Sequence, residues 1–200
     1  MNFTYLYPER PKLISINQPL FEKLSDDPKW VAEPKYNGSR LVLAVNGKVE
    51  LWNRHGEKFD YQPDDTLQNA LNDFASHTNG MCVFDGELRH NKVAGVRHKI
   101  VLWDTLVWDG ELQTSKPYLV RQTNLVNTCM CLTTGQVRRL SMCPQHMGKF
   151  KDLYRDYIQD PEIEGLVIKN LNGKLNLSRT AGQPSNWMFK VRRPSNSYRF

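Results

Sequence analysis

The sequence predicts an α+β fold built on antiparallel sheets. Two β-rich runs, 41–45 and 48–52, are joined by an Asn-Gly dipeptide, which a type I′ hairpin turn prefers. Apolar residues at helical spacing predict helices over 64–76 and 146–159. Hairpins with helices placed between them favour an α+β arrangement over a series of βαβ units.

The residue patterns inside the two predicted helices support them. The first opens with two aspartates, which are favourable in the first turn of a helix, and its apolar residues are Leu67, Ala70, Leu71 and Phe74. The second carries a stripe of large side chains that is most simply a core face: Phe150, Leu153, Tyr154, Tyr157 and Ile158. The segment 123–132 also has a helical pattern.

Four further runs have the composition of strands. Residues 81–88 and 99–112 are β-rich, and the second run is predicted to be interrupted at Asp104-Thr105. Runs 166–170 and 188–192 follow, separated by an Asn-Gly turn and a polar loop. No internal repeat or long linker divides the chain.

The composition is that of one globular domain with excess positive charge. The 200 residues are 40% hydrophobic and 24% charged, which is sufficient for a sizeable core. The formal net charge of +6 favours an anionic partner, namely nucleic acid, nucleotide phosphates or an acidic membrane surface. The alternative is a basic protein that binds nothing anionic.

The sequence also bears on cellular compartment. No apolar run approaches the roughly 20 residues that span a bilayer, and the N-terminus lacks the pattern of a signal peptide. We therefore expect a cytoplasmic or otherwise intracellular protein without a membrane partner, in which cysteines remain thiols.

A structural zinc site is the other use that the cysteines allow. Cys129, Cys131, Cys143 and His146 supply four ligands at spacings that zinc could use. Against it, the first pair is separated by one residue only, and positions two apart on a helix do not face each other. Free thiols are the simpler expectation.

The stretch EPKYNGSR, residues 33–40, places Lys35 between a proline and a Tyr-Asn-Gly turn. This frame suits a lysine that acts as a nucleophile. At neutral pH about one lysine side chain in a thousand is a free amine, so activation needs burial, nearby positive charge or a metal ion. Attack on a nucleoside triphosphate also needs cations, a divalent ion, a flat surface for the base and a polar group for the sugar.

Candidates for these roles follow Lys35 along the chain. Glycine-rich phosphate loops of the GxxxxGK[ST] and GxGxxG types are absent, so side chains would have to bind phosphate. The candidates are Arg40, Arg54, Glu87, Trp103, Glu164, Lys169, Lys190 and Arg192. The last two alternate along one predicted strand and therefore point to the same side.

Each candidate also has a simpler explanation. An Asp-Gly-Glu sequence is commonly a turn beside an exposed acid, a Lys-x-Arg pair is commonly a solvated strand edge, and a strand tryptophan is commonly core. The weight therefore rests on the combination of these residues and on their order.

Their order resembles the motifs of the covalent nucleotidyltransferase superfamily, which comprises ATP-dependent DNA ligases, RNA ligases and mRNA capping enzymes. The motifs are K-x-N-G-x-R, N-R-x-G, D-G-E-L, an aromatic-Asp pair, E-G-L-V-I-K and K-x-R, and they extend from about residue 31 to residue 193. The stretches EPKYNGSR and NRHGEKF are most similar to the adenylation domain of ATP-dependent DNA ligases.

The resemblance implies two antiparallel sheets flanked by helices, with a nucleotide cleft between them in an ATP-grasp-like arrangement. It implies ATP and Mg²⁺ (or Mn²⁺) as cofactors and nicked double-stranded DNA as the partner, with RNA possible. Lys35 would attack the α-phosphate and form lysyl-AMP. The AMP would pass to a 5′-phosphate, and a 3′-hydroxyl would then displace it to seal the strand.

The resemblance also implies roles for individual side chains. The nucleotide- and phosphate-binding residues are Glu33, Arg40, Arg54, Glu87, Trp103, Lys169, Lys190 and Arg192. The two arginines after Lys35 would contact phosphate, Trp103 would stack on adenine, and the last three residues of the list would neutralise the α-phosphate. Glu87 would bind the ribose or a metal ion, and Glu164 would help to hold that ion.

Two positions depart from the family pattern. Asn37 stands where the family usually has Asp, and an asparagine carries no charge and cannot take a proton. If that charge matters, self-adenylylation should be slow. Trp187 lies three residues before Lys190 rather than two, and a one-residue shift would exchange the faces of the strand.

We expect residues 1–200 to form a single nucleotidyltransferase (adenylation) domain without the C-terminal OB-fold domain of family DNA ligases. Either the domain is a minimal adenylyltransferase that acts alone, or a second protein supplies the closing domain, and we expect weak binding to a nick. The alternatives are an RNA ligase and a non-catalytic relative that binds nucleic acid independently of ATP and Lys35.

Overall fold

The structure is a computed structural model that describes residues 4–193. The strands of this part of the chain are β1 (Arg10–Leu13), β2 (Trp30–Tyr36), β3 (Ser39–Val45), β4 (Val49–Asn53), β5 (Cys82–Arg89), β6 (Lys99–Trp108), β7 (Glu111–Leu112), β8 (Leu140–Met142), β9 (Ile163–Asn170) and β10 (Pro184–Arg192). The α-helices are α1 (Pro19–Asp26), α2 (Asp65–Ser76), α3 (Tyr118–Cys129), α4 (Thr134–Val137) and α5 (Phe150–Tyr157).

The strands form two sheets, which confirms the α+β prediction. The smaller sheet has the order β1-β10-β9-β2, and the larger has the order β4-β3-β5-β6-β7 with β8 beside β6. Antiparallel pairing holds throughout except between β1 and β10 and between β6 and β8, which are parallel. The prediction of antiparallel sheets is wrong at these two places, because long stretches of chain rather than tight hairpin turns connect the paired strands.

Local sequence patterns predicted the hairpin and the first helix correctly. β3 and β4 pair in register around a turn in which Gly47 has a φ of 71°. The helix α2 begins one residue after Asp64, whose side chain accepts a hydrogen bond from the backbone N–H of Leu67 at 2.9 Å. A side chain that caps the first turn in this way satisfies an N–H that would otherwise lack a partner.

Two predicted boundaries are wrong. The second helix begins at Phe150 instead of 146, because Gly148 and Lys149 have φ angles of 64° and 50° and His146 forms a β-bridge with Ala32. The predicted interruption at Asp104-Thr105 does not end the strand, since β6 runs from 99 to 108, but its pairing with β5 shifts register on either side of these two residues.

Three clusters of buried side chains fill the spaces between these elements. One lies between the smaller sheet and helices α1 and α5, and it includes the predicted stripe from Phe150 to Ile158. Another packs α2 and α3 against the larger sheet. The third joins residues of both sheets, among them Val31, Val83, Tyr118 and Trp187, and we call it the inter-sheet core. Within residues 4–193, none of the helices combines the length and the apolar character needed to cross a membrane.

Candidate active site

Lys35 lies near the end of β2, in a row of residues that crosses three strands. In the register of the smaller sheet, Lys35 pairs with Gly165 of β9, which pairs in turn with Arg192 of β10. Gly165 has a φ of 151°, and a Cβ at this position would lie 2.0 Å from the carbonyl oxygen of Val191. Only glycine fits here, because a side chain would collide with the backbone of β10 at Val191 and Arg192.

Glu164 contacts Lys35 directly. The Nζ of Lys35 donates to Oε2 of Glu164, and both side chains are about one quarter exposed, at 25% and 23%. A nucleophile has to be reachable by its substrate, and this degree of exposure allows it. The amine and the carboxylate are therefore held together at the surface of the site.

Lys190 adds a further cation on the same face as Arg192. Burial lowers the pKa of Lys190, and the nearby positive charges of Lys35, Arg192 and Arg10 lower it further. Of the charges that act on Lys190, those three are positive and only that of Glu164 is negative, so the surroundings of Lys190 have net positive charge. Such a site attracts the negatively charged phosphates of a nucleotide.

The unusual spacing between Trp187 and Lys190 is accommodated before the regular part of β10 begins. Ser185 Oγ accepts hydrogen bonds from the backbone N–H groups of Trp187 and Met188, at 3.1 and 3.2 Å. Both of those side chains are buried in the inter-sheet core. From Met188 onward the pairing with β9 is regular, so Lys190 and Arg192 share the face that carries Lys35.

Arg40 is fixed at the start of β3 in the larger sheet. Its Nε and Nη2 donate to the two carboxylate oxygens of Asp85 at 2.9 and 2.5 Å, and Nη1 donates to the carbonyl of Glu9 at 2.9 Å. Burial acts to lower the pKa of Arg40, but the Asp85 carboxylate outweighs it, so the pKa is raised. The guanidinium is therefore a permanent, immobile charge.

Glu87 lies directly opposite Arg40 in the register of β3 and β5. Burial raises the pKa of Glu87 to about 7, although the positive charges of Lys35 and Arg40 oppose the shift. Gly38 allows this approach, because a Cβ there would lie 2.6 Å from Cγ of Glu87. Glu87 therefore stands between the lysine on one sheet and the arginine on the other.

Trp103 occupies a β-bulge. Asp85 and Gly86 are consecutive on β5 but pair with Asp104 and Leu102, which leaves Trp103 as the extra residue of β6. Its carbonyl is therefore free of the sheet pairing; it accepts hydrogen bonds from Gln122 and Lys169, at 2.6 and 3.4 Å, and lies 3.0 Å from the hydroxyl oxygen of Tyr118. The side chain is partly exposed, as an aromatic surface for a base would have to be.

Glu33 and Lys169 form a buried ion pair. The distance from Nζ of Lys169 to Oε2 of Glu33 is 2.6 Å, and each side chain is 3% exposed. The hydroxyl of Tyr118 donates to Oε1 of Glu33 and accepts from Lys169 at 3.1 Å. Burial raises the pKa of Tyr118 well above its ordinary value, so this hydroxyl keeps its proton. The predicted contact of Lys169 with the α-phosphate stays a prediction, since its ammonium here contacts Glu33 and Tyr118.

Gln145 completes this buried group from the solvent side. Its Nε2 donates to Oε1 of Glu33 at 3.0 Å and to the hydroxyl of Tyr118 at 2.9 Å. It belongs to a segment, 140–146, that we call the strap because it bonds to both sheets. The N–H of Cys143 donates to Leu102 in the larger sheet, and His146 pairs with Ala32 in the smaller sheet.

A second contact between the sheets involves Arg89, at the end of β5. Its guanidinium lies 4.4 Å from the ring centroid of Tyr36 and forms an ion pair with Glu162, just before β9. Asn37 is held nearby through its backbone N–H, which donates to the carbonyl of Glu162 at 2.9 Å. These contacts fix the turn that follows Lys35.

Arg54 stands apart from the cluster. It lies on the exposed turn after β4 and donates to Nε2 of His55 at 3.1 Å. Because Asn53 pairs with Leu41, the turn lies at the same end of the larger sheet as Arg40. Arg54 therefore borders the site without entering it.

The sequence did not reveal Tyr118, Gln145, Arg89 or Glu162 as parts of this region. Tyr118 and Gln145 lie in segments that match none of the motifs. Asp85, by contrast, is the first residue of the D-G-E-L motif, and its regular two-residue spacing from Glu87 is a signal that could have found it.

The four possible zinc ligands do not meet. Cys143 is buried and its thiol donates to the carbonyl of Pro34 at 3.7 Å, whereas Cys131 contacts the backbone of Asp73 at 3.8 Å. Within residues 4–193 no three histidine, cysteine or acidic side chains are grouped so that they could hold a metal ion. All four cysteines are free thiols, and burial raises the pKa of Cys143.

A surface cavity of about 330 Å³ lies elsewhere, between β4, the loop that follows it and α2. Lys48, Glu50, Lys58 and Tyr61 are among its lining residues. None of the residues predicted from the motifs lines it, so it carries no argument about the chemistry of Lys35.

Comparison with known proteins adds to this geometry. No protein-family model matches the chain, and no curated protein matches it either. Solved structures do match. The ligase domain of LigD from M. tuberculosis is 18% identical with a TM-score of 0.68, over 92% of this chain and 59% of that chain. The ATP-dependent DNA ligase from bacteriophage T7, in complex with ATP, is 18% identical with a TM-score of 0.60, over 93% of this chain and 68% of that chain.

A third match is a structure of the Lig E DNA ligases, described as binding DNA with a minimal scaffold. It is 14% identical with a TM-score of 0.58, over 92% of this chain and 69% of that chain. At this level of identity the matches establish the fold, and the chain spans about 59% of the length of the LigD ligase domain. The chain therefore shares its fold with the part of these DNA ligase structures that it spans, as the resemblance of its motifs predicted.

Proposed function

We propose that this protein is an ATP-dependent polynucleotide ligase of the DNA-ligase type, which forms a covalent lysyl-AMP on Lys35 and seals nicks between a 5′-phosphate and a 3′-hydroxyl. The observation that carries the proposal is the placement of Lys35. Its Nζ contacts Glu164, Arg192 shares its row of the sheet, and Glu87 approaches from the opposite sheet. A surface lysine without a function would need none of these neighbours.

The first step would transfer AMP to the protein. The Nζ of Lys35 attacks the α-phosphorus, an N–P bond forms, and the bond to the leaving pyrophosphate breaks. The amine has to lose a proton before it attacks. Glu164 contacts the ammonium in the structure; it would keep its negative charge to hold the metal ion, so the proton would pass to water.

The cations would hold the triphosphate in place for this attack. Lys35, Lys190 and Arg192 repel one another in the free protein, which is one reason why the pKa of Lys190 is lowered. An anionic triphosphate placed among them relieves that repulsion, so part of its binding energy comes from charges already assembled.

Glu87 and Glu164 are suited to hold Mg²⁺ or Mn²⁺. Each lies beside Lys35, and the two carboxylates are near enough to influence each other's charge. A magnesium ion in phosphoryl-transfer sites is commonly held by one or two carboxylates together with substrate phosphates. When bound, the ion would stabilise negative charge that develops on the phosphate oxygens.

Nicked double-stranded DNA is the proposed substrate of the later steps, and RNA is the alternative. The net charge of +6 favours a polyanion, and Arg40 and Arg54 lie together at one end of the larger sheet. The chain spans about 59% of the length of the LigD ligase domain, so sealing by the whole ligase is part of the proposal and not of the comparison.

The proposal is tested by incubating the purified protein with α-labelled ATP and Mg²⁺ or Mn²⁺. We expect an acid-labile covalent adduct that Lys35→Ala abolishes. Lys151→Ala is the matched control, because Lys151 is exposed on α5 and pairs with Glu22 far from the motif residues; it should form the adduct normally. A wild-type protein that forms no adduct with either metal between pH 6 and 9 would refute the proposal.

Substrate choice is tested once the adduct forms. Sealing of a nicked DNA duplex is compared with sealing of a nicked RNA duplex of the same sequence. Preference for RNA would replace the DNA assignment by the RNA-ligase alternative, and an adduct that seals neither would limit the activity to adenylyl transfer.

A further inference from the structure

Residues 5–9, which we call segment 5–9, connect the smaller sheet to one end of the larger sheet. The segment leads directly into β1, which pairs with β10. Its backbone is fixed by the loop after β9, because Tyr7 and Ser178 exchange hydrogen bonds of 2.8 and 3.1 Å. Two further contacts of the segment reach Arg40 and the turn that carries Arg54.

The first of these contacts holds Arg40. The backbone carbonyl of Glu9 accepts a hydrogen bond from Nη1 of Arg40 at 2.9 Å, while the carboxylate of Asp85 accepts from Nε and Nη2. The Arg40 side chain is 20% exposed. Among residues 4–193, these bonds leave its other N–H groups available to a ligand, in a direction that Glu9 and Asp85 fix together.

The side chain of Glu9 keeps that carbonyl in place. It is almost fully buried, and its carboxylate accepts hydrogen bonds from Nε1 of Trp187 at 2.6 Å and from Oγ of Ser185 at 3.5 Å. Both partners belong to β10. Glu9 therefore connects the strand that carries Lys190 and Arg192 to the arginine near the start of β3. A carboxylate that only solubilised the segment would not be buried.

The second contact holds the exposed turn after β4. The hydroxyl of Tyr7 donates to the backbone carbonyl of His55 at 3.0 Å. Gly56 has a φ of 78°, and a Cβ there would lie 3.2 Å from both the ring of Tyr5 and the hydroxyl oxygen of Tyr7. The two tyrosine rings also contact each other edge to face, with their centroids 4.8 Å apart. The turn is thus packed against segment 5–9.

We propose that segment 5–9 positions Arg40 and Arg54 for contact with the phosphates of a polynucleotide, with Glu9 and Tyr7 as the positioning residues. The inference rests on the proposed function, in that it takes a nucleic-acid strand to pass over this end of the larger sheet. Fixing Arg40 and the backbone beside Arg54 before the ligand arrives lowers the conformational entropy that binding would otherwise cost. Because one segment contacts both regions, it also fixes the distance between the two charges.

A double-mutant cycle on Tyr7 and Arg54 provides the test. Tyr7→Phe keeps the ring and the backbone bonds to Ser178 and removes only the hydroxyl. Affinity for a nicked DNA duplex is measured by fluorescence anisotropy at fixed salt for wild type, Tyr7→Phe, Arg54→Ala and the double variant. We expect Tyr7→Phe to weaken binding about threefold in the wild-type background and by less than about 1.5-fold in the Arg54→Ala background, because a residue that acts through Arg54 then has nothing left to position.

A matched tyrosine separates positioning from a general loss of stability. Tyr157 is also partly buried, and its hydroxyl contacts Nε2 of His146 at 2.6 Å. Tyr157→Phe removes a hydroxyl of the same kind on α5 and should leave the affinity for the nicked duplex unchanged in both backgrounds. Melting curves identify any variant that has lost its fold.

The role of Glu9 is tested by rescue with the conservative variant. Glu9→Gln keeps an oxygen that can accept from Nε1 of Trp187, so it should bind the duplex within about twofold of wild type. Glu9→Ala has no such oxygen and should bind about fivefold more weakly. Equal losses in the two variants would contradict the role of Glu9. The cycle on Tyr7 does not depend on whether Glu9→Ala folds.

The outcomes are distinct from those of the adduct experiment. Wild-type protein that does not bind the nicked duplex overturns the inference, and so does a Tyr7→Phe variant that binds as tightly as wild type. A Tyr7→Phe effect of the same size in both backgrounds also overturns it, because that pattern shows a role independent of Arg54. If the cycle behaves as expected while wild-type protein forms no adduct, the positioning role stands and the ligase proposal fails.

Discussion

At the scale of single residues, the candidate site depends on groups whose properties are changed by their surroundings. Glu87 is the clearest example, since burial raises its pKa to about 7. Gly165 is another, because no other residue can occupy its backbone conformation and its contact with Val191. Each leads to a prediction that a measurement on the isolated protein can check.

Glu87 should make the stability of the protein depend on pH. Because its pKa is higher in the folded state than in the unfolded state, folded Glu87 keeps a proton that unfolded Glu87 has released between pH 4.5 and about 7. Stability should therefore fall as pH rises through that window. Glu87→Gln cannot titrate, so the loss between pH 5 and 7.5 should be smaller in the variant by about 2 kcal/mol, allowing for partial solvent contact.

Urea unfolding of both proteins at the two pH values measures this difference. Groups other than Glu87 also titrate, but they are common to the two proteins and cancel in the comparison. Equal pH dependence of wild type and variant would show that Glu87 is not shifted in the folded protein.

Gly165→Ala should destabilise the protein strongly. The added Cβ would lie 2.0 Å from the carbonyl of Val191 in a backbone conformation that alanine disfavours, so we expect a loss of about 3 kcal/mol or failure to fold. Gly135→Ala is the control, because a Cβ there meets nothing within 4 Å and should change stability little. Denaturant unfolding measures the free energy of unfolding of the two variants, and equal values would contradict the prediction.

At the scale of elements, the important features are the places where strands depart from regular pairing. The bulge at Trp103 frees a carbonyl from the sheet pairing, and the polar groups of Tyr118, Gln122 and Lys169 contact that carbonyl. The strap of residues 140–146 forms hydrogen bonds to both sheets and places Gln145 against Glu33. The ion pair between Arg89 and Glu162 joins the end of β5 to the residue before β9.

The ion pair between Arg89 and Glu162 should be detectable as a coupling between the effects of the two residues on the free energy of unfolding. We expect a double-mutant cycle with Arg89→Met and Glu162→Gln to give a coupling energy of about 1–2 kcal/mol, because Arg89 is almost fully buried. The ion pair between Arg155 and Asp152 is the control, since both side chains are more than 60% exposed. The coupling energy of this control pair should stay below about 0.5 kcal/mol. Equal coupling energies in the two pairs would show that the pair of Arg89 and Glu162 does not stabilise the contact between the sheets.

At the scale of the whole molecule, the two sheets share one core and face each other across the polar residues. The inter-sheet core joins Val31 and Met188 of one sheet to Val42 and Val83 of the other. This arrangement brings Lys35 and Glu87 together although they are 52 positions apart in the sequence. Charge is also a property of this scale, since an excess of +6 acts on any polyanion that approaches.

Binding to nicked duplex DNA should therefore weaken steeply with salt, and Arg54 should contribute to it. If Arg54 neutralises one phosphate, Arg54→Ala should reduce the slope of log affinity against log salt by about 1. Fluorescence anisotropy between 50 and 200 mM salt measures the slope. Lys151→Ala, which alters the helical side of the smaller sheet, should leave it unchanged, and an unchanged slope for Arg54→Ala would exclude this contact.

How much the sequence predicted depends on whether a feature is local. The β3–β4 hairpin and the capped start of α2 follow from neighbouring residues, and both were predicted to within one or two positions. The start of α5 was wrong because His146 pairs with Ala32, a residue 114 positions away. The same limit applies to the parallel pairing of β1 with β10.

The sequence by itself determined which residues match the motifs of the covalent nucleotidyltransferase superfamily and in what order they occur, because each motif is a short run with its own turn or strand. Only the tertiary structure decided that Lys35 meets Glu164, that Lys169 is paired with Glu33, and that Gln145 joins them. These contacts depend on strand register, a bulge and a strap. Each of those is set by packing between distant segments, and no local pattern encodes it.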